Sequence, residues 1–205
     1  MDSDAQGSEE LEAEFDADLL RKASMLRDAS RLLAQLPTAT KDAALRSVEV
    51  ALLANMDCLL ELNAKDLAMA NDMAVDEHVR DRLRLTSERI RAMAGGVEQI
   101  LQLPDPVGEI IDSRFVKSGL EITRRRVPLG VVGIIYEARP NVTVDVAAIC
   151  LKSGNAVLLR GGTIASNTNR ALVQIISEAT NREGVSKGWI VGLEDPDRSV
   201  VGQML

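Results

Sequence analysis

Apolar residues recur at helical spacing through the first half of the chain. Leu19, Ala23, Leu26, Ala29 and Leu33 fall on one stripe, which predicts a helix within 11–36 that Pro37 stops. A second stripe through Ala44, Val48, Leu52 and Leu53 predicts a helix from a cap at Thr38 or Thr40 towards Leu60. NAKDLAMAND, 63–72, predicts a further short helix. The stretch 86–103 predicts another, with Thr86 as its cap and Glu88 in the first turn, where negative charge suits the helix dipole. Gly95-Gly96 should weaken or bend it. Past Pro104 and Pro106 the pattern becomes alternation over 108–127, with Ser118-Gly119 between the two runs. That predicts a β-hairpin, marginal by itself and sensible as an arm on another domain or subunit. After Pro128 apolar runs and helical patterns alternate. Residues 129–136 predict a strand buried on both faces, 142–155 a helix stopped at Gly154, 156–160 a strand, 163–180 a helix, 188–194 a strand, and 195–205 the start of a helix whose apolar face (Val200, Val201, Met204, Leu205) has no following strand to cover it.

The expected class is α/β: N-terminal helices, a protruding β-hairpin, then an incomplete parallel Rossmann-like sheet with right-handed crossovers. In such sheets ligands sit at the carboxyl ends of the strands. The expected organisation is a disordered acidic tail at 1–10, a helical part at 11–107, the hairpin arm at 108–127 and the sheet at 128–205.

Composition narrows the function. Of 205 residues 46% are hydrophobic, ample for one core, and only 2% are aromatic, so stacking platforms are scarce. A net charge of −7 disfavours nucleic acid and anionic membrane as partners. The short cluster Arg124-Arg125-Arg126 reads as a solvated or subunit-contact edge. No apolar run approaches membrane-spanning length, and the first ten residues do not resemble a signal peptide. Cys58 and Cys150 have no metal or redox spacing. A soluble cytoplasmic protein with reduced thiols is expected.

Three places could carry chemistry. Arg160-Gly161-Gly162 follows one strand and precedes a helix. Glycines let a ligand approach the backbone, helix N–H groups capped by Thr163 or Ser166 attract an anion, and Arg160 can pair with phosphate; an ordinary strand–helix turn has the same composition. In YEARPN, 136–141, Pro140 pins the backbone. Asn141 is then a helix cap or an oxyanion donor, with Glu137 and Arg139 able to meet a substrate carboxylate or amine. Cys150 lies on an apolar stretch far from the single histidine, His78, and reads as a buried structural thiol.

The block VPLGVVGIIYEARPNVTVDVAAICLKSGNAVLLRGG, 127–162, closely resembles the γ-glutamyl phosphate reductase family of the aldehyde dehydrogenase superfamily. SNTNRAL, EDPDR, NAKDLAMA and DRLRLTSERIRAMA fit the same pattern, so the resemblance covers almost everything after the acidic tail. It implies NADPH-dependent reduction of L-glutamyl 5-phosphate to L-glutamate 5-semialdehyde in proline biosynthesis. In that chemistry a cysteine attacks the acyl carbon, phosphate leaves and the nicotinamide delivers hydride. The resemblance makes Asn141 the counterpart of the oxyanion donor and Arg160 the holder of the adenosine ribose or its phosphate, beside the cofactor-binding Gly161, Gly162 and Ser166 that the strand–turn–helix pattern suggests. It makes the hairpin a subunit contact in a homo-oligomer. It also implies that the catalytic-cysteine domain is absent from this sequence, so that the chain is an inactive fragment by itself. The rival expectation is a non-catalytic nucleotide-binding or subunit-interaction module.

Overall fold

The computed structural model describes residues 17–193 together with Gly202 and Met204. The expected tail at 1–10 and most of the final helix lie outside these residues. Five helices come first: α1 (Ala17–Leu33), α2 (Thr38–Ala54), α3 (Met56–Asp72), α4 (Glu77–Leu83) and α5 (Ser87–Leu101). The hairpin β1 (Ile110–Phe115) and β2 (Glu121–Arg125) follows. Then come β3 (Val131–Ile135), α6 (Pro140–Lys152), β4 (Ala156–Arg160), a 3-10 turn (Thr163–Ala165), α7 (Ser166–Arg182) and β5 (Ile190–Gly192).

The expected helix ending near Leu60 instead breaks at Asn55. That residue leaves helical geometry (φ −102°, ψ 18°), and its side-chain amide donates to the Ala51 carbonyl. Pro37, rather than Thr38 or Thr40, precedes α2, and Thr38 Oγ1 turns to Asp105 instead. Thr86 caps α5 as expected, accepting from Arg89 N–H at 3.1 Å. Gly95 and Gly96 stay helical; a Cβ at Gly96 would make only ordinary contact with Asp145 on α6, and one at Gly95 would meet open space.

The parallel sheet runs β3-β4-β5, with β4 in the centre. Every β4 residue is buried. Val157 and Leu159 face a core built with α2, α5, α6 and α7, while Ala156 and Leu158 face Leu19 and Leu26 of α1. Met204 packs against that second face; Val200, Val201 and Leu205 lie outside the described residues. The expectation that β3 is buried on both faces is corrected: Val131, Gly133 and Ile135 are exposed, because β3 is the edge of the described sheet and α1 covers β4 more than β3. The C-terminus of α6 closes as expected. Asn155 N–H returns to Cys150 O and Gly154 N–H to Leu151 O, with Gly154 at φ +73°.

The hairpin pairs antiparallel from Ile110↔Arg125 to Phe115↔Glu121, with Gly119 at φ +85° in its turn. Both strands are exposed throughout, and Phe115, Leu120 and Val127 present apolar side chains to solvent. Arg124 pairs with Asp112 and Arg126 with Glu109, each at 2.7 Å.

Two lysines are buried where the helices meet the loop before the hairpin. Lys41 Nζ contacts both oxygens of Asp105, at 2.9 and 3.1 Å, and Lys152 Nζ contacts Asp42 at 2.7 Å and the Leu101 carbonyl. Burial works against the Asp105 carboxylate, but hydrogen bonds from Lys41, Val107 N–H and Thr38 outweigh it and hold its pKa below 3.8. A carboxylate depressed on folding contributes stability that is present above its unfolded pKa and is lost as pH falls through the folded value. Asp105→Asn is therefore expected to lower stability at neutral pH and to flatten the loss of stability below pH 3.8, as read by urea unfolding across an acid pH series.

Candidate functional site

The carboxyl end of the sheet is where β3, β4 and β5 release their chains. Hydrogen bonds continue past the strands: Tyr136 N–H donates to Arg160 O at 3.0 Å and Gly162 N–H to Glu137 O at 2.7 Å. The two turns are thus laced backbone to backbone, which explains the glycines. A Cβ on Gly162 would overlap the Glu137 carbonyl oxygen, and one on Gly161 would overlap Asn169 Nδ2 and crowd the Tyr136 ring. The glycine pair permits a close approach of protein to protein.

Beneath this floor runs a side-chain relay. Thr143 Oγ1 donates to Asn169 Oδ1 at 3.1 Å, so the Tyr136 hydroxyl, 2.6 Å away, donates to Thr143. Burial, partly offset by that bond, pushes the Tyr136 phenol above its ordinary pKa and keeps it neutral.

The start of α7 is not capped by Thr163 or Ser166. Asp66 of α3, fully buried, accepts from Asn167 N–H, Thr168 N–H, Thr168 Oγ1 and Asn167 Nδ2 at 2.6–3.2 Å. A carboxylate of the protein already occupies these N–H groups, so a ligand phosphate cannot take them. One turn earlier on α3, Asn63 accepts from Leu85 N–H and donates to Leu83 O, which holds the 83–85 loop.

Two cavities flank the loop that follows β3. The first, about 450 Å3, opens between the ends of β4 and β5 and the face of α7 that runs from Ser166 to Glu178. Gly161, Gly162 and Ser166 line it, as expected, and so does Arg170, which the sequence pattern did not single out. Arg160 is not among its lining residues. It alternates with Leu159 onto the α1 face, is nearly buried and donates to the Gly161 carbonyl at 2.9 Å. The second cavity, about 410 Å3, lies on the other side of the loop and is lined by Arg139, Asn141, Asp145 and arginines around the start of α5. Asn141 is the second residue of α6, not its cap, which is Arg139; Pro140 takes the first helical position, where its missing N–H costs nothing. The Asn141 side-chain amide donates to Asp145 at 3.1 Å. Burial, partly offset by that bond, raises the Asp145 pKa. Glu137 is exposed and lines neither cavity.

The cysteines stand away from both cavities. Cys150 is buried on α6, and burial pushes its thiol up to about 11. Cys58 is exposed on α3. Among the described residues no helix is long and apolar enough to cross a membrane.

Known proteins match this chain closely. A γ-glutamyl phosphate reductase of Pectobacterium carotovorum is 50% identical over 177 residues, 86% of this chain and 42% of that protein. One from Photorhabdus laumondii is 48% identical over 179 residues. The chain is a homologue of γ-glutamyl phosphate reductases. It spans less than half the length of the curated relatives it matches. The crystal structure of γ-glutamyl phosphate reductase from Thermotoga maritima superposes with a TM-score of 0.88 at 42% identity, over 91% of this chain and 45% of that one. An acetylating aldehyde dehydrogenase from Geobacillus thermoglucosidasius shares the fold, with a TM-score of 0.71 at 17% identity. No protein-family model matches the chain.

Proposed function

We propose that this chain forms the cofactor-binding side of an NADPH-dependent reductase acting on L-glutamyl 5-phosphate in proline biosynthesis. The observation that carries the reading is the cavity of about 450 Å3 at the carboxyl end of a parallel sheet, in a chain 50% identical to a γ-glutamyl phosphate reductase.

The cavity wall fits a nucleotide. Gly161 and Gly162 keep its floor thin, Ser166 supplies a hydroxyl and Arg170 a guanidinium. Arg160 acts from behind the floor, bracing the strand end through the Gly161 carbonyl. A bound nicotinamide supplies the hydride for reduction. On the other side of the loop Arg139 meets the acidic substrate. The Asn141 side chain is engaged with Asp145, so the oxyanion role falls to its backbone N–H, one of the first-turn donors that a helix cannot satisfy internally. Glu137 contributes through its carbonyl, which fixes Gly162.

Neither cysteine lines either cavity, and the reading gives neither the role of nucleophile: Cys150 is buried with a raised pKa and Cys58 is exposed on α3. The 205-residue chain is therefore expected to bind NADPH without turnover. The exposed apolar hairpin is proposed as the arm of a homo-oligomer, 11–107 as its helical layer, and the cytoplasm as its location. The test measures quenching of the single tryptophan, Trp189, by NADPH, beside an assay of NADP reduction with semialdehyde and phosphate. Saturable quenching, weakened at least tenfold by Arg170→Gln, with no NADPH formed, supports the reading. No quenching removes the cofactor role, and turnover removes the claim of inactivity.

A further inference from the structure

The second cavity holds a charge pattern that the cofactor does not need. Four guanidinium groups (Arg82, Arg84, Arg89 and Arg139) and two carboxylates (Asp81 and Asp145) line it, an excess of positive charge in a chain whose net charge is −7. The groups are not equivalent. Arg89 is spent on structure: it pairs with Asp81 at 3.1 Å and donates to the Asp81 and Arg84 carbonyls, which fixes the turn between α4 and α5. Arg84 lies 4.0 Å from Glu77. Arg82 and Arg139 make no ion pair among the described residues, yet they come from elements far apart in sequence to line one concavity. Asn63 holds the 83–85 loop from below, through Leu83 O and Leu85 N–H, so Arg84 stands on an anchored backbone. Asp145, which lines the same cavity, keeps one carboxylate oxygen on Asn141 Nδ2, at the first turn of α6.

We infer that this cavity recognises the α-amino-acid head of the substrate, its carboxylate meeting Arg82, Arg84 and Arg139 and its ammonium meeting Asp145. Guanidinium groups lining one concave site match a carboxylate, and the Asp145 carboxylate in the same lining matches an ammonium. Burial disfavours the Asp145 carboxylate and raises its pKa, so an incoming cation gains by pairing with it. The position fits as well. Arg139 and Asn141 leave β3 on this side while Tyr136 lines the cofactor cavity on the other, so a substrate held by its head extends its reacting end towards the loop between them. The inference rests on the reductase reading for the identity of the substrate.

The test records amide NMR spectra of the 205-residue chain during titration with L-glutamine, with L-glutamate and, separately, with inorganic phosphate. L-Glutamine has the same head and no second negative charge. Both amino acids are expected to shift amides within 82–92 and 139–145 saturably, and Arg82→Gln with Arg139→Gln is expected to weaken both at least tenfold. Both arginines are exposed, so the thermal midpoint of the double variant should match the wild type. Asp145→Asn should weaken L-glutamine more than it weakens glutarate, which lacks the ammonium. Phosphate shifting these amides while the amino acids do not overturns the inference, as does L-glutamate binding without L-glutamine. NADPH titration reads the other cavity: its failure with amino-acid binding intact sinks the reductase reading alone, and the converse sinks this inference alone.

Discussion

Asp66→Ala is expected to lower the stability of the chain by about 4 kcal/mol, a large share of the 5–15 typical of a domain. Asp66 is fully buried and accepts four hydrogen bonds at the start of α7, from two backbone N–H groups, the Thr168 hydroxyl and the Asn167 amide. Alanine leaves the buried Thr168 donors and the half-buried Asn167 donors without this acceptor, and each buried group so left costs about 1–3 kcal/mol, less when several share one relaxation. Asp66→Asn keeps one oxygen and should cost roughly half as much. Urea unfolding followed through Trp189, which is 1% exposed and donates to Thr180 Oγ1, reads the difference. Because α7 carries Ser166 and Arg170, NADPH affinity should fall in parallel. A loss under about 1 kcal/mol would show that the α7 terminus finds another acceptor.

The second large effect is expected at Gly162. A Cβ there overlaps the Glu137 carbonyl oxygen, a backbone atom that also accepts the Gly162 N–H. The turns after β3 and β4 must separate to admit it, at a cost of about 3 kcal/mol. Gly161→Ala meets chiefly the Asn169 amide and the Tyr136 ring, which can shift, so its cost should be nearer 1–2 kcal/mol. The order distinguishes two readings of the glycine pair. If the glycines served only ligand approach, both variants would unfold like the wild type and differ only in cofactor affinity. Close packing of backbone on backbone requires Gly162→Ala to be the less stable.

Much of this architecture is legible from spacing, because periodicity reports which residues face a core. The stripe through Leu19, Leu26 and Leu33 and the uninterrupted AVLLR run both meet the core as the pattern requires. The break at Asn55 is not legible, since the apolar stripe continues across it and a local side-chain bond decides the matter. The exposure of β3 depends on which strands lie beside it, and an apolar run carries no such information.

The site was legible only in part. Gly161, Gly162 and Ser166 stand at the cavity because a strand–turn–helix places them there. Arg160 misses it by one residue of pleat, which turns the side chain to the other face. Asp66, Asn63, Arg82 and Arg84 look in sequence like ordinary polar positions on helices or a short connection. Their roles come from contacts across about a hundred residues for Asp66 and from the fold of the α4–α5 turn for the others. Lys41 and Lys152 are hidden for the same reason, as buried lysines whose partners are fixed only by the packed helices.

The account stands most directly on where NADPH binds. In amide spectra of the whole chain, NADPH is expected to shift Gly161, Gly162, Ser166, Arg170 and Gly192 saturably and to leave the hairpin and the 82–92 segment in place. Shifts confined to the arginine-lined cavity, or no saturable shift at all, would contradict it.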